Sequence, residues 1–118
     1  MQVAAIAERV ARNQATFRHA NERIEVSANE IFSDATSLSI PFICECPDES
    51  CRLLVQMELE EYEMVRSRPE WFLAAPGHEV CTVDGQEVAF TAERYERFSV
   101  MEKIGEAGEL ARQLDARS

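Results

Sequence analysis

The sequence predicts an α+β fold, with a long N-terminal helix followed by a small antiparallel sheet and short helices. Three observations lead there. Val3, Val10, Phe17, Ile24 and Ile31 fall seven residues apart with no proline or glycine between them. The middle of the chain then changes to short β-branched and apolar runs. Asp84-Gly85 separates two such runs, a strong short-range hairpin signal.

Residues 1–32 read as one long N-terminal helix and residues 33–118 as the α+β domain that follows it. Three residues after the members of the apolar stripe stand Ile6, Asn13, Ala20 and Ser27, so the second stripe of the heptad is small or polar after its first member. A strong coiled coil needs large apolar residues at both stripes. The expectation is an amphipathic helix packed on its own domain. At about 48 Å it is longer than the remaining residues are wide, so its first turns project. Phe17 and Ile24 then anchor the helix, leaving Val3, Ile6 and Val10 for self-association or a protein partner.

Ser33 to Ser39 is a polar connector. Ile40 to Cys44 and Cys51 to Met57 are apolar runs that pair as a hairpin, with a cysteine-rich segment at the tip. Leu59, Tyr62 and Val65 follow helical spacing, and Pro69 stops that helix near Ser67. "WFLAA" reads as a short buried strand ending in a turn at Pro76-Gly77. The Asp84-Gly85 hairpin joins Val80–Val83 to Glu87–Phe90. Phe98, Val100 and Ile104 predict a further strand, although Tyr95, Phe98 and Met101 also fit a helix, and Ala107, Leu110, Ala111 and Leu114 predict a final short helix.

At 118 residues and 46% apolar composition, the chain fits one folded unit. No apolar run reaches the roughly 20 residues of a membrane span, and the start lacks the apolar centre of a secretory signal. The net charge is −10, although residues 1–24 carry four arginines against two glutamates. Such an acidic remainder repels a phosphate backbone, which makes nucleic acid a poor partner.

"FICECPDESC" places Cys44, Cys46 and Cys51 within eight residues, in a chain with four cysteines. With no export signal, the setting is read as reducing and cytoplasmic, where clustered thiols serve as metal ligands more often than disulfides. Residues two apart in a strand point the same way, so Cys44 and Cys46 share a face and Glu45 turns from it. Pro47-Asp48-Glu49-Ser50 folds Cys51 back towards them. Zn²⁺ takes a fourth donor, and "PGHEVC" supplies two candidates. The preferred set is Cys44, Cys46, Cys51 and His78, giving a zinc-bound hairpin tip. Cys81 in place of His78 is the alternative, followed by unligated thiols or a disulfide. The C-x-C-x4-C spacing is not that of a standard zinc knuckle, and it fails the common iron–sulfur spacings.

"NQATFRHANERI", "FICECPDESC", "LEEYEMVRSRPEWFLAAPGHE" and "VMEKIGEAGELARQLD" resemble a group of small uncharacterised bacterial proteins over most of the chain. That group is marked by the cysteine cluster and the "APGHE" histidine, and no activity is assigned to it. The resemblance implies that Cys44, Cys46, Cys51 and His78 belong together.

Motifs of catalysis are missing from the sequence. A closed four-ligand zinc leaves no position for substrate. The H-x-E plus P-C-x-x-C pattern of zinc deaminases and the H-E-x-x-H pattern of zinc proteases do not occur. His19 reads as a solvated or packing residue, and "ELEEYE" as a solvated helix face. The leading expectation is a non-enzymatic, zinc-stabilised protein-interaction or regulatory module. The alternatives are a thiol redox sensor that releases zinc on oxidation and, behind it, a nucleic-acid regulator using the N-terminal helix.

Overall fold

The computed structural model describes residues 2–31, 38–48 and 50–115, apart from the side chains of residues 2–5 and 7. Most of the predicted connector, residues 33–37, therefore lies outside the described residues. Helix α1 spans Gln2–Ile31. Strands β1 (Ile40–Ile43) and β2 (Leu54–Met57) follow, then α2 (Leu59–Val65) and β3 (Trp71–Ala74). A tiny hairpin, β4 (Thr82–Val83) and β5 (Gln86–Glu87), precedes β6 (Ala89–Arg94), β7 (Ser99–Lys103) and α3 (Gly105–Gln113).

The architecture matches the predicted α+β class. Strands β1 and β2 pair antiparallel, with Ile40 opposite Met57 and Ile43 opposite Leu54. Strand β7 lies between β3 and β6 in an antiparallel three-stranded sheet. Asp84 and Gly85 both take positive φ, 52° and 81°, as the two-residue β4–β5 turn requires. The strand expected over Glu87–Phe90 divides between β5 and β6, and β6 continues to Arg94 through an irregularity between Thr91 and Glu93.

The alternating pattern of the β1–β2 hairpin buries Ile40, Phe42, Val55 and Met57 on one face. Phe42 stacks on Tyr62 of α2, with ring centroids 4.3 Å apart and planes within 3°. Leu73, Phe98 and Val100 bring the three-stranded sheet into the same core. Helix α2 starts where the Glu58 N–H donates to the Glu61 carboxylate, 2.8 Å away.

Helix α1 corrects the sequence reading. Among its described side chains the buried ones are Val10, Ala11, Gln14, Arg18, Asn21, Glu25 and Ala28. Phe17, Ile24 and Ile6 are only half-buried, and Ile31 is 70% exposed. The true contact stripe lies beside the predicted one and is largely polar. The cause is what α1 faces: the backbone carbonyls of Ile43, Glu45, Pro69 and Trp71 and the Ile43 N–H, which need hydrogen-bond partners. Val10, assigned to association from the sequence, is 1% exposed and belongs to the fold. Arg9 also reaches back, 2.8 Å from Asp84 in the β4–β5 turn.

Candidate metal centre

Strand β1 delivers the first two cysteines. Its ladder extends past Ile43, where the Cys44 N–H donates to Leu53 O. The turn after Cys46 is closed by Asp48, whose carboxylate accepts from the Ser50 N–H at 2.9 Å and the Ser50 hydroxyl at 2.7 Å. The Cys51 N–H donates to Asp48 O, 3.0 Å away. This local turn brings the third sulfur back beside the first two, as the sequence predicts.

The fourth donor arrives on a second turn. Ala75-Pro76-Gly77-His78 closes through His78 N–H to Ala75 O at 2.9 Å, and Gly77 has φ of 88°. Proline at the second position and glycine at the third suit a type II turn. Both ends of this turn meet the cysteines. The Ala75 N–H points at the Cys44 sulfur, 3.2 Å away. The His78 Nδ1 atom lies 3.7 Å from Cys46 Sγ and 3.6 Å from Cys51 Sγ.

One donor atom from each of Cys44, Cys46, Cys51 and His78 lies within 4.8 Å of all the others. Zinc bonds of about 2.3 Å to sulfur and 2.0–2.1 Å to nitrogen, at tetrahedral angles, separate S from N by about 3.6 Å. The two S–N distances match that separation. Three sulfurs and one imidazole nitrogen form a donor set able to bind a metal ion, and its softness suits zinc. Cys81 is half-buried and stands outside the group. His19 is exposed on α1.

Burial acts on two of the thiols. Desolvation pushes Cys44 up to about 12, only partly offset by the Ala75 N–H. Burial also raises Cys46. Burial thus favours the protonated form of Cys44 and Cys46, and a bound cation would oppose it.

Glu45 is the residue that sequence reasoning missed. It turns away from the sulfurs, as strand alternation requires, but into the protein, where it is 1% exposed. Its N–H donates to Leu73 O, and its carboxylate accepts from the Leu73 N–H at 3.1 Å and from Asn21 Nδ2 at 2.8 Å. Burial raises the Glu45 carboxyl, opposed by the Arg18 charge and then by the Asn21 hydrogen bond. Asn21 also pairs with both backbone groups of Ile43, at 2.7 and 2.8 Å, as a neighbouring strand would. Gln14 donates to Glu45 O at 2.8 Å. The C-E-C segment is thereby sewn to α1 and β3 before any metal is considered. Residues 14, 18, 21 and 25, at spacings of three and four, carried the signal as a polar stripe.

No protein-family model, no curated protein and no solved structure matches the chain. Among the described residues, no helix is long and apolar enough to cross a membrane.

Proposed function

We propose that Cys44, Cys46, Cys51 and His78 hold one Zn²⁺ in a closed structural site, within a non-enzymatic protein-interaction or regulatory module. The observation that carries this reading is the convergence of four donors within 4.8 Å of one another, with two S–N distances of 3.6 and 3.7 Å, from the β1–β2 tip and the turn after β3. Four protein ligands complete the shell, so the ion crosslinks the β1–β2 tip to the loop after β3 and offers no open position for substrate. Burial of Cys44, Cys46 and Cys51, at 0%, 2% and 6% exposed, favours this over a redox sensor, whose thiolates must be accessible. The interaction half of the reading rests on the net charge of −10, which suits a basic protein segment better than nucleic acid.

Purified protein should contain about one zinc per chain, and Cys51→Ser should lose most of it. In Co²⁺-substituted protein, added cyanide or azide should leave the visible spectrum unchanged, because no coordination position is open. Absence of zinc, or iron at cluster stoichiometry, overturns the metal assignment. A spectrum that shifts with cyanide overturns the closed site and reopens catalysis.

A further inference from the structure

The histidine turn stands apart from the rest of the site in how it is secured. The three cysteines sit on a hairpin tip sewn to α1 and β3. His78 instead rides on a loop that joins β3 to the two-residue strand β4. Pro76 and Gly77 are exposed, and the Val80 N–H merely folds back to His78 O at 2.9 Å. A type II turn also leaves the amide at its third position pointing away from the ring closed by the His78–Ala75 bond. That amide is Gly77 N–H, and Glu79 receives it.

The Glu79 side chain is 12% exposed and makes three connections. Its Oε1 accepts from Gly77 N–H at 3.1 Å. Its Oε2 accepts from the Ser99 hydroxyl at 2.7 Å, at the start of β7. Arg94, at the end of β6, lies 3.3 Å from the same oxygen. Ser99 itself is 1% exposed and paired in register with Ala74, the last residue of β3. One carboxylate therefore joins the histidine turn to the three-stranded sheet.

We propose that Glu79 is a positioning residue for the metal centre: by tying the Gly77 amide to Ser99 and Arg94, it fixes the His78 imidazole at the fourth vertex. The inference rests on the reading of Cys44, Cys46, Cys51 and His78 as a metal site. Glu79 touches no metal. Its role is to remove the freedom of a glycine-bearing loop, so that the imidazole waits at bonding distance rather than being gathered in by the ion. Hydrogen-bonding partners one step from the ligands commonly govern metal affinity by 10–100-fold.

The test is a Zn²⁺ competition titration against a chromophoric chelator, with the visible spectrum of Co²⁺-loaded protein as a second readout. Glu79→Ala should weaken Zn²⁺ binding by about 10–100-fold and perturb the Co²⁺ bands that report an S₃N donor set. Ser99→Ala, which leaves the carboxylate in place, should weaken binding less. In a His78→Ala background, Glu79→Ala should change affinity no further, because its effect passes through the imidazole. A merely structural role predicts an undiminished second loss in that background. If Glu79→Ala fails to fold, Glu79→Gln and Ser99→Ala carry the same cycle. Wild-type protein that binds no Zn²⁺ overturns the metal reading itself. Wild type that binds Zn²⁺ beside a Glu79→Ala variant of equal affinity and identical spectrum overturns only the positioning role.

Discussion

Helix α2 and strand β1 meet across an apolar surface, whereas α1 and the same strand meet across a polar one. On the first, Phe42, Val55, Met57 and Tyr62 are at most 2% exposed and pack as hydrocarbon. On the second, Gln14, Arg18, Asn21 and Glu45 are as deeply buried but act as donors and acceptors. The two surfaces tolerate error differently. Apolar packing loses stability in proportion to the contacts removed, while a polar seam that loses one partner strands the other in a low-dielectric interior. The metal-bearing segment from Cys44 to Cys46 lies where the two surfaces join.

The sharpest way to break this contrast lies in the charged end of the seam. Arg66 has a fully buried side chain, with Asp115 2.7 Å and Glu22 3.2 Å away. The Tyr62 hydroxyl donates to Glu22 at 2.5 Å, which couples the seam to the Phe42 stack. Arg66→Met keeps the bulk and removes the charge that both carboxylates approach. The expected loss is about 3–5 kcal/mol in denaturant unfolding. The triple variant with Glu22→Gln and Asp115→Asn should recover much of it. A single variant within about 1 kcal/mol of wild type would show that solvent reaches these groups and the seam is not dry.

The difference between the surfaces also explains what could be read from the sequence. The β1–β2 hairpin, the Asp84-Gly85 turn and the cysteine tip each rest on local rules: alternation, a two-residue turn, a proline-led loop. The wide apolar spacing of α1 correctly announced a helix. It pointed to Phe17 and Ile24, which are half-buried, because periodicity counts apolar residues and α1 buries amides, a guanidinium and a carboxylate. A polar side chain is placed inside only by its partner, and the partners of Asn21 are Ile43 and Glu45, more than twenty residues away. His78 was chosen over Cys81 because a Pro-Gly turn precedes it. The contact between that turn and Ser99, through Glu79, had no local signature.

Two substitutions of similar bulk compare the surfaces directly. Met57→Leu on the apolar side should cost under about 1.5 kcal/mol, since the pocket accepts another flexible hydrocarbon. Asn21→Leu leaves the Ile43 N–H, the Ile43 carbonyl and one Glu45 oxygen without their present partner. Each stranded group costs about 1–3 kcal/mol, so at least about 3 kcal/mol should be lost, together with weaker Zn²⁺ binding as the C-E-C segment loosens. Equal costs for the two variants would mean that water replaces the asparagine amide and that the contrast between the surfaces is one of composition only.

The smallest effect is a dependence on pH. Lys103, at the end of β7, is 3% exposed, and its ammonium lies 5.2 Å from the centre of the Phe72 ring. Arg18 lies 3.7 Å from the centre of the same ring. Burial, and after it the Arg18 charge, lower Lys103 from 10.5 to about 7, opposed by the Glu45 carboxylate. An unfolded chain keeps this lysine protonated up to its ordinary value, whereas the folded chain releases the proton above about pH 7. Between those values the unfolded state binds more protons, so stability rises with pH. Below pH 7 both states are protonated, the cost of the buried charge is fully present, and the slope vanishes. Cys44, raised to about 12 from 9.0, acts in the opposite sense only at higher pH. The useful window is therefore pH 7 to 8, read as the difference between wild type and Lys103→Met so that other titrations cancel. Wild type should gain about 1 kcal/mol relative to the variant across that interval. Parallel curves would mean that Lys103 keeps its charge when buried, with Glu45 rather than the Phe72 ring as its principal partner.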